Sequence, residues 1–185
     1  MFADTFEDVE ILDVSAGLDP TQESTFLTSI REALAELQAG RMIVIVDDED
    51  RENEGDLMIA AEMITPEAIN FMATSVRGLI CIAITSERAD ALGLSPMVLR
   101  NTSWGGTAFT ASVDAKGRGV TTGIAAYDRA QTVLAIADAH TRPEDLARPR
   151  TFFRIALVGR AFWSGEVTPK RQSISPVWRG WILRV

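Results

Sequence analysis

Seven carboxylates, one arginine and one glycine fall within residues 47–56, which read DDEDRENEGD. Closely spaced Asp and Glu oxygens suit a hard divalent ion such as Mg²⁺, which keeps several waters and takes only one or two protein carboxylates. Arg51, a cation among these anions, can clamp a phosphate or a sugar hydroxyl. Crowded carboxylates raise one another's pKa, so one of them is a candidate general acid or base. The bland reading of such a run is a solvated acidic face. Its placement argues for more: the continuous apolar stretch MIVIV at 42–46 precedes it and LMIAAE at 57–62 follows it. Strand, charged loop, strand is the simplest description, with Gly55 allowing a sharp turn.

Other chemistry-bearing residues give weaker signals. GVTTG at 119–123 precedes a helical pattern and offers hydroxyls and close backbone approach. It reads as an ordinary turn with a cap, or as a seat for an anion at a helix start. Cys81 lies inside an apolar strand pattern, where an inert buried thiol is expected rather than a nucleophile. His140 is the only histidine, follows a helix end, and is expected to cap it or face water. A multi-histidine metal site is therefore excluded, as is a Ser/His/Asp triad resting on any other histidine.

The elements that must position these residues alternate between helix and strand. Phe26, Ile30, Leu34 and Leu37 recur at helical spacing, predicting a helix over 22–39 stopped by Gly40. The run at 42–46 predicts a strand buried on both faces. Thr65 and Pro66 suit an N-cap and first helical position for a helix through Val76, with Gly78 beyond. Residues 79–84 (LICIAI) predict another buried strand, residues 86–92 a short helix stopped by Gly93, and residues 94–108 a long polar loop. Residues 109–113 alternate like a strand, and residues 125–138 predict a helix with Ala130, Val133, Leu134 and Ala137 inward. Such alternation predicts a layered α/β domain whose strands need not all be parallel.

The chain has 185 residues, room for one ordinary domain, and 46% hydrophobic residues to fill its core. A net charge of −8 repels phosphodiester backbones and anionic lipid, so nucleic-acid and membrane partners are disfavoured. A small polar or phosphorylated metabolite held through a cation fits better. One cysteine allows no internal disulfide, and neither a leader nor an apolar run of about 18 residues is apparent, so a cytoplasmic protein is expected. Residues 1–142 hold 10 basic and 23 acidic side chains, whereas residues 143–185 hold 8 basic and 3 acidic. Trp163, Trp178 and Trp181 also fall in that last stretch.

At DDEDRENEGDL the chain resembles the 3,4-dihydroxy-2-butanone-4-phosphate synthases of riboflavin biosynthesis. The resemblance extends through GLICIAIT at 78–85, through NTS, GTAFTASVDA and GVTTGIAAYDRA between 101 and 130, and through TRPEDLARP at 141–149. It implies a three-layer α/β/α domain with a mixed sheet, acting as a homodimer with active sites near the subunit interface. The implied reaction is Mg²⁺-dependent (or Mn²⁺-dependent) conversion of ribulose 5-phosphate to 3,4-dihydroxy-2-butanone 4-phosphate and formate. By position, Arg51 and Glu52 match the family's substrate-binding pair, Glu52 its metal ligand and Asp56 a further substrate contact. Glu54 and Asp56 are the implied catalytic acids and bases, and Thr110, Thr121 and Thr122 line the implied pocket. Such chemistry needs a proton removed beside a carbonyl, an enediolate stabilised by metal, and a hydroxyl lost with acid help.

The resemblance breaks after Pro149. The family continues with GHIFPL, then RxGHTEAAVDLARLAG carrying its second metal-binding histidine, and later a catalytic glutamate; this chain reads RTFFRIALVGRAFWSGEVTPKRQSISPVWRGW. His140 precedes TRPEDLARP and matches neither motif histidine. Permitted codons for residues 166–181, read two bases later, spell GHTEAAVDLARLAG, and the same displacement from codon 150 allows HIFP. The expectation is a frameshift near codons 149 and 150, in the gene or in its sequencing. It leaves an incomplete synthase-like domain over 1–149 and an aberrant basic tail over 150–185. The other readings are a non-catalytic metabolite- or metal-binding domain whose basic tail docks on an acidic partner, and a folded remnant with an unstructured tail. Resequencing the DNA across codons 140–185 should show a missing or extra base near codon 150; an undisturbed frame there sinks the frameshift.

Overall fold

A computed structural model describes residues 30–46, 55–102, 108–150, 154–158 and 182–184. Helix α1 (Ile30–Gln38) buries Leu37 and ends at Gly40, whose φ of 77° takes the left-handed turn that glycine tolerates best. The expected helix positions 22–29 lie outside the described residues. Strands β1 (Ile43–Val46) and β2 (Gly55–Ala60) then pair antiparallel, with Ile43 opposite Met58 and Val46 opposite Gly55. The two strands of the strand–loop–strand reading thus form an antiparallel pair, and residues 47–54 between them lie outside the described residues.

One expectation for β1 needs correcting. The strand is not buried on both faces: Val44 is 63% exposed and Ile45 40% exposed. It lies at the edge of the sheet, paired only with β2. A short continuous apolar run looks the same in sequence whether its strand is central or at an edge.

Helix α2 (Pro66–Phe71) starts where expected, with the Thr65 hydroxyl accepting the Ala68 amide at 3.1 Å and Pro66 in the first turn. It continues as a π-turn over Met72–Val76, and Arg77, at φ 59°, makes the left-handed stop one residue before Gly78. Strand β3 (Cys81–Thr85) leads directly into α3 (Ser86–Ala91), capped by the Thr85 hydroxyl on the Arg88 amide. Residues 109–113 do not form the expected strand. Thr110 makes an isolated bridge to Pro96, and the regular pairing begins only at β4 (Asp114–Ala115), antiparallel to β5 (Leu146–Ala147). Between them runs α4 (Ala126–Ala137), which buries Ala130, Val133, Ala135 and Ile136, whereas Leu134 and Ala137 are only partly covered.

The main sheet is mixed, in the order β1-β2-β7-β3-β6. Strand β6 (Arg154–Val158) runs parallel to β3, and β7 (Ile182–Arg184) fits antiparallel between β2 and β3. The α/β class with a mixed sheet is as expected. Two segments from beyond Pro149 nevertheless lie within the sheet. Leu57 and Ile59 of β2, Ile82 and Ile84 of β3, Ile69 and Met72, and Val133 and Ile136 of α4 share one core.

Two arginines finish helix ends from a distance. Arg88 donates to the carbonyls of Ile136 and Asp138 at the end of α4, at 3.0 and 2.5 Å. Arg148 donates to the carbonyls of Leu92, Gly93 and Pro143, closing the end of α3. Both satisfy carbonyls that a helix cannot pair internally. Among the described residues no helix is long and apolar enough to cross a membrane. Shortening the fully buried Ile82 to alanine should cost about 2–5 kcal/mol in urea unfolding, whereas Val44→Thr should stay within roughly 0.5 kcal/mol. Equal costs would mean that β1 is covered as well as β3.

Candidate active site

The β1–β2 hairpin brings both ends of the acidic segment to one rung of the ladder, Val46 opposite Gly55. Arg51, Glu52 and Glu54 lie outside the described residues. Asp56 is the first residue of the acidic segment that the structure places in a ladder with side-chain burial to compare: it stands opposite Ile45, half-buried. Leu57 and Ile59 are buried, so strand alternation turns Asp56 and Met58 to the other face of β2.

A second cluster gathers around the start of α4. Thr121 and Thr122 are exposed, and Gly119 and Gly123 flank them at φ 75° and 81°. The Asp128 side chain, in the first turn of α4 and only 2% exposed, reaches back over this loop. Its Oδ2 accepts the Gly123 amide at 2.9 Å, the Thr121 amide at 3.3 Å and the Thr121 hydroxyl at 3.1 Å. Burial works against that charge, but the donors from Gly123 and Thr121 outweigh it and hold the carboxyl below the ordinary aspartate range. The loop amides that an external anion would use are therefore engaged by the protein's own carboxylate. The turn is as expected but the cap is not: Ala125 stands at the N-cap of α4 and makes no side-chain capping bond.

Asp114 of β4 approaches the same loop from the other side, also 2% exposed. Its carboxylate lies so close to Gly123 that a Cβ there would stand 2.0 Å from Oδ2, so only glycine fits. The Arg150 Nε is 3.2 Å from Oδ2, near enough for an ion pair although not aligned as a hydrogen bond. Burial pushes the Asp114 carboxyl up; Arg150 and Arg129 oppose that and Asp128 adds to it. Thr110 is fully buried, and its hydroxyl donates to the Ala111 carbonyl at 3.1 Å.

The structure thus joins Thr121 to Asp128, Asp114 and Arg150, while Asp56 belongs to the hairpin and Thr110 to the interior. Asp114, Asp128 and Arg150 were missed by reading the sequence. An acidic residue in the first turn of α4, just after a Gly-flanked Thr pair, was the available signal for Asp128. Cys81 is buried, as expected. The His140 side chain is 97% exposed, with its Nδ1 3.2 Å from Asp138 Oδ1, so it faces water. Among the described residues no three His, Cys, Asp or Glu side chains gather in a way that could hold a metal ion.

Residues 31–157 match the family model described as 3,4-dihydroxy-2-butanone 4-phosphate synthase. The chain is 54% identical over 127 residues to riboflavin biosynthesis protein RibBA of Porphyromonas gingivalis, covering 69% of this chain and 31% of that protein. It is 48% identical over 127 residues to a 3,4-dihydroxy-2-butanone 4-phosphate synthase of Wolinella succinogenes, covering 69% of this chain and 36% of that one. A crystal structure of a 3,4-dihydroxy-2-butanone 4-phosphate synthase in complex with two magnesium ions superposes with a TM-score of 0.69 at 39% identity. That likeness covers 71% of this chain and 61% of the other. The chain spans about a third of the length of the curated relatives it matches.

The Asp128 geometry sets a pH dependence. A carboxyl held below its ordinary range contributes stability in full above that range and loses it as pH falls through the folded value. Asp128→Asn should therefore destabilise the protein by on the order of 1–3 kcal/mol at neutral pH. The gap between the two proteins should close in acid, as read from thermal melts across pH 2–7; a gap that persists in acid would remove the charge from the explanation.

Proposed function

The chain belongs to the 3,4-dihydroxy-2-butanone 4-phosphate synthase family, and from that membership we propose that its synthase-like region is built to convert ribulose 5-phosphate to 3,4-dihydroxy-2-butanone 4-phosphate and formate. The observation that carries this reading is the match over residues 31–157, which includes the acidic hairpin and the loop before α4. Within it Arg51 and Glu52 bind the sugar phosphate, Asp56 contacts it further, and Glu54 and Asp56 move protons. Thr121 and Thr122, both exposed residues, line the pocket for a polyol, with the Thr121 hydroxyl already held by Asp128, and Thr110 supports the pocket from within.

A divalent ion, Mg²⁺ or Mn²⁺, would stabilise negative charge on the enediolate, with Glu52 as its ligand on this chain. Proton removal beside the carbonyl falls to the hairpin carboxylates Glu54 and Asp56. Carbon and phosphate balance: the five-carbon sugar phosphate yields a four-carbon phosphate and one-carbon formate, which makes the enzyme a lyase. A cytoplasmic homodimer is the working assembly in this reading.

The residues beyond Pro149 limit what this exact chain does. The GHIF and GHT histidines of the family pattern are replaced, so the boundary at 149 separates an incomplete synthase-like part from a displaced tail. The likenesses do not favour the alternative of a non-catalytic remnant whose tail docks on an acidic partner. Formate release from ribulose 5-phosphate with Mg²⁺ decides the matter. Little or none is expected from the 185-residue chain, and clear turnover from a chain with the frame restored at codon 150. Appreciable turnover by the 185-residue chain would overturn the loss, and none from the restored chain would overturn the synthase reading.

A further inference from the structure

Arg150 is tied to two separate segments of the chain. Its amide donates to the Ser112 carbonyl at 3.2 Å, and its own carbonyl accepts the Ser112 hydroxyl. Its side chain then crosses to the other segment: Nε pairs with Asp114 Oδ2 at 3.2 Å, and Nη2 donates to the Thr121 carbonyl at 3.3 Å. Four contacts from one residue join residues 112–114 to the loop before α4.

Other ties join β4 to the body of α4, where the Ala115 amide donates to the Thr132 hydroxyl at 3.1 Å, rather than to the loop before it. Gly123 offers no side chain, and the Asp128 carboxylate braces the loop only from the side of α4. Asp114 is buried, so its charge needs a cation nearby, and a planar guanidinium can meet a carboxylate and a carbonyl at once where an ammonium on a flexible stem cannot hold both. We propose that Arg150 is a positioning residue, a latch that fastens the loop of Thr121 and Thr122 onto Asp114 and so sets how those two hydroxyls are presented. Its bearing on ligand binding rests on the reading of Thr121 and Thr122 as pocket residues.

Amide hydrogen exchange on the full 185-residue chain, without substrate, tests the latch. Arg150→Met should speed exchange over residues 117–125 by roughly tenfold, as loss of a charge-assisted contact allows, while α2 and β3 stay as protected as before. Arg150→Lys keeps the charge but not the fork and should give an intermediate rise; it also serves if Arg150→Met does not fold. Asp114→Asn should loosen the same residues, and the double variant should be no looser than Arg150→Met alone. Unchanged exchange over 117–125 in Arg150→Met, or effects of Arg150→Met and Asp114→Asn that simply add, would overturn the proposal. Because the readout needs neither substrate nor turnover, a failed synthase assay leaves the latch standing, and unchanged exchange leaves the synthase reading untouched.

Discussion

The register of one antiparallel pair governs where this protein can do chemistry. Ile43 opposite Met58 and Val46 opposite Gly55 place the two ends of the acidic segment a single rung apart. A slip of one residue would turn Asp56 inward with the core and Leu57 outward, because side chains alternate across a strand. The buried Leu57 and Ile59 prevent that slip, since moving them into water would sacrifice the apolar area they bury. Core packing on one face of β2 thereby fixes the position of a carboxylate on the other.

The loop before α4 is organised by charge instead. Asp128 and Asp114, both withdrawn from water, stand on either side of Gly123, one satisfied by loop donors and the other faced by arginine. Their environments push the two carboxyls in opposite directions, one down and one up. Thr121 and Thr122 are thus carried on a backbone whose shape is set by groups that water scarcely reaches, and the Thr121 hydroxyl is itself held by Asp128. Arg88 and Arg148 act in a similar way elsewhere, each using one side chain to satisfy several backbone carbonyls at a helix end.

The elements legible in the sequence are those whose signal is local. Thr65 and Pro66 mark a helix start because the cap and the missing amide act within one turn. Gly40 and Gly93 mark stops because positive φ is a property of single residues. Arg77 was not legible as a stop, since nothing in an arginine advertises a left-handed conformation; its amide closes the π-turn on the Met72 carbonyl. The alternation at 109–113 misled for a related reason: a period of two shows that a segment is extended, not that a partner strand lies alongside.

What the sequence by itself determined is the chemistry on offer: a crowded carboxylate segment with one arginine between two strands, and the family to which the chain belongs. Those follow from residue identity and order alone. Only the tertiary structure decided that β1 is an edge strand, that β6 and β7 from beyond the break enter the sheet, and that Asp114, Asp128 and Arg150 meet around Gly123. The physical reason is distance along the chain. Arg150 lies 36 positions after Asp114 and 29 after Thr121, and no local preference encodes a contact that exists only when separate elements pack.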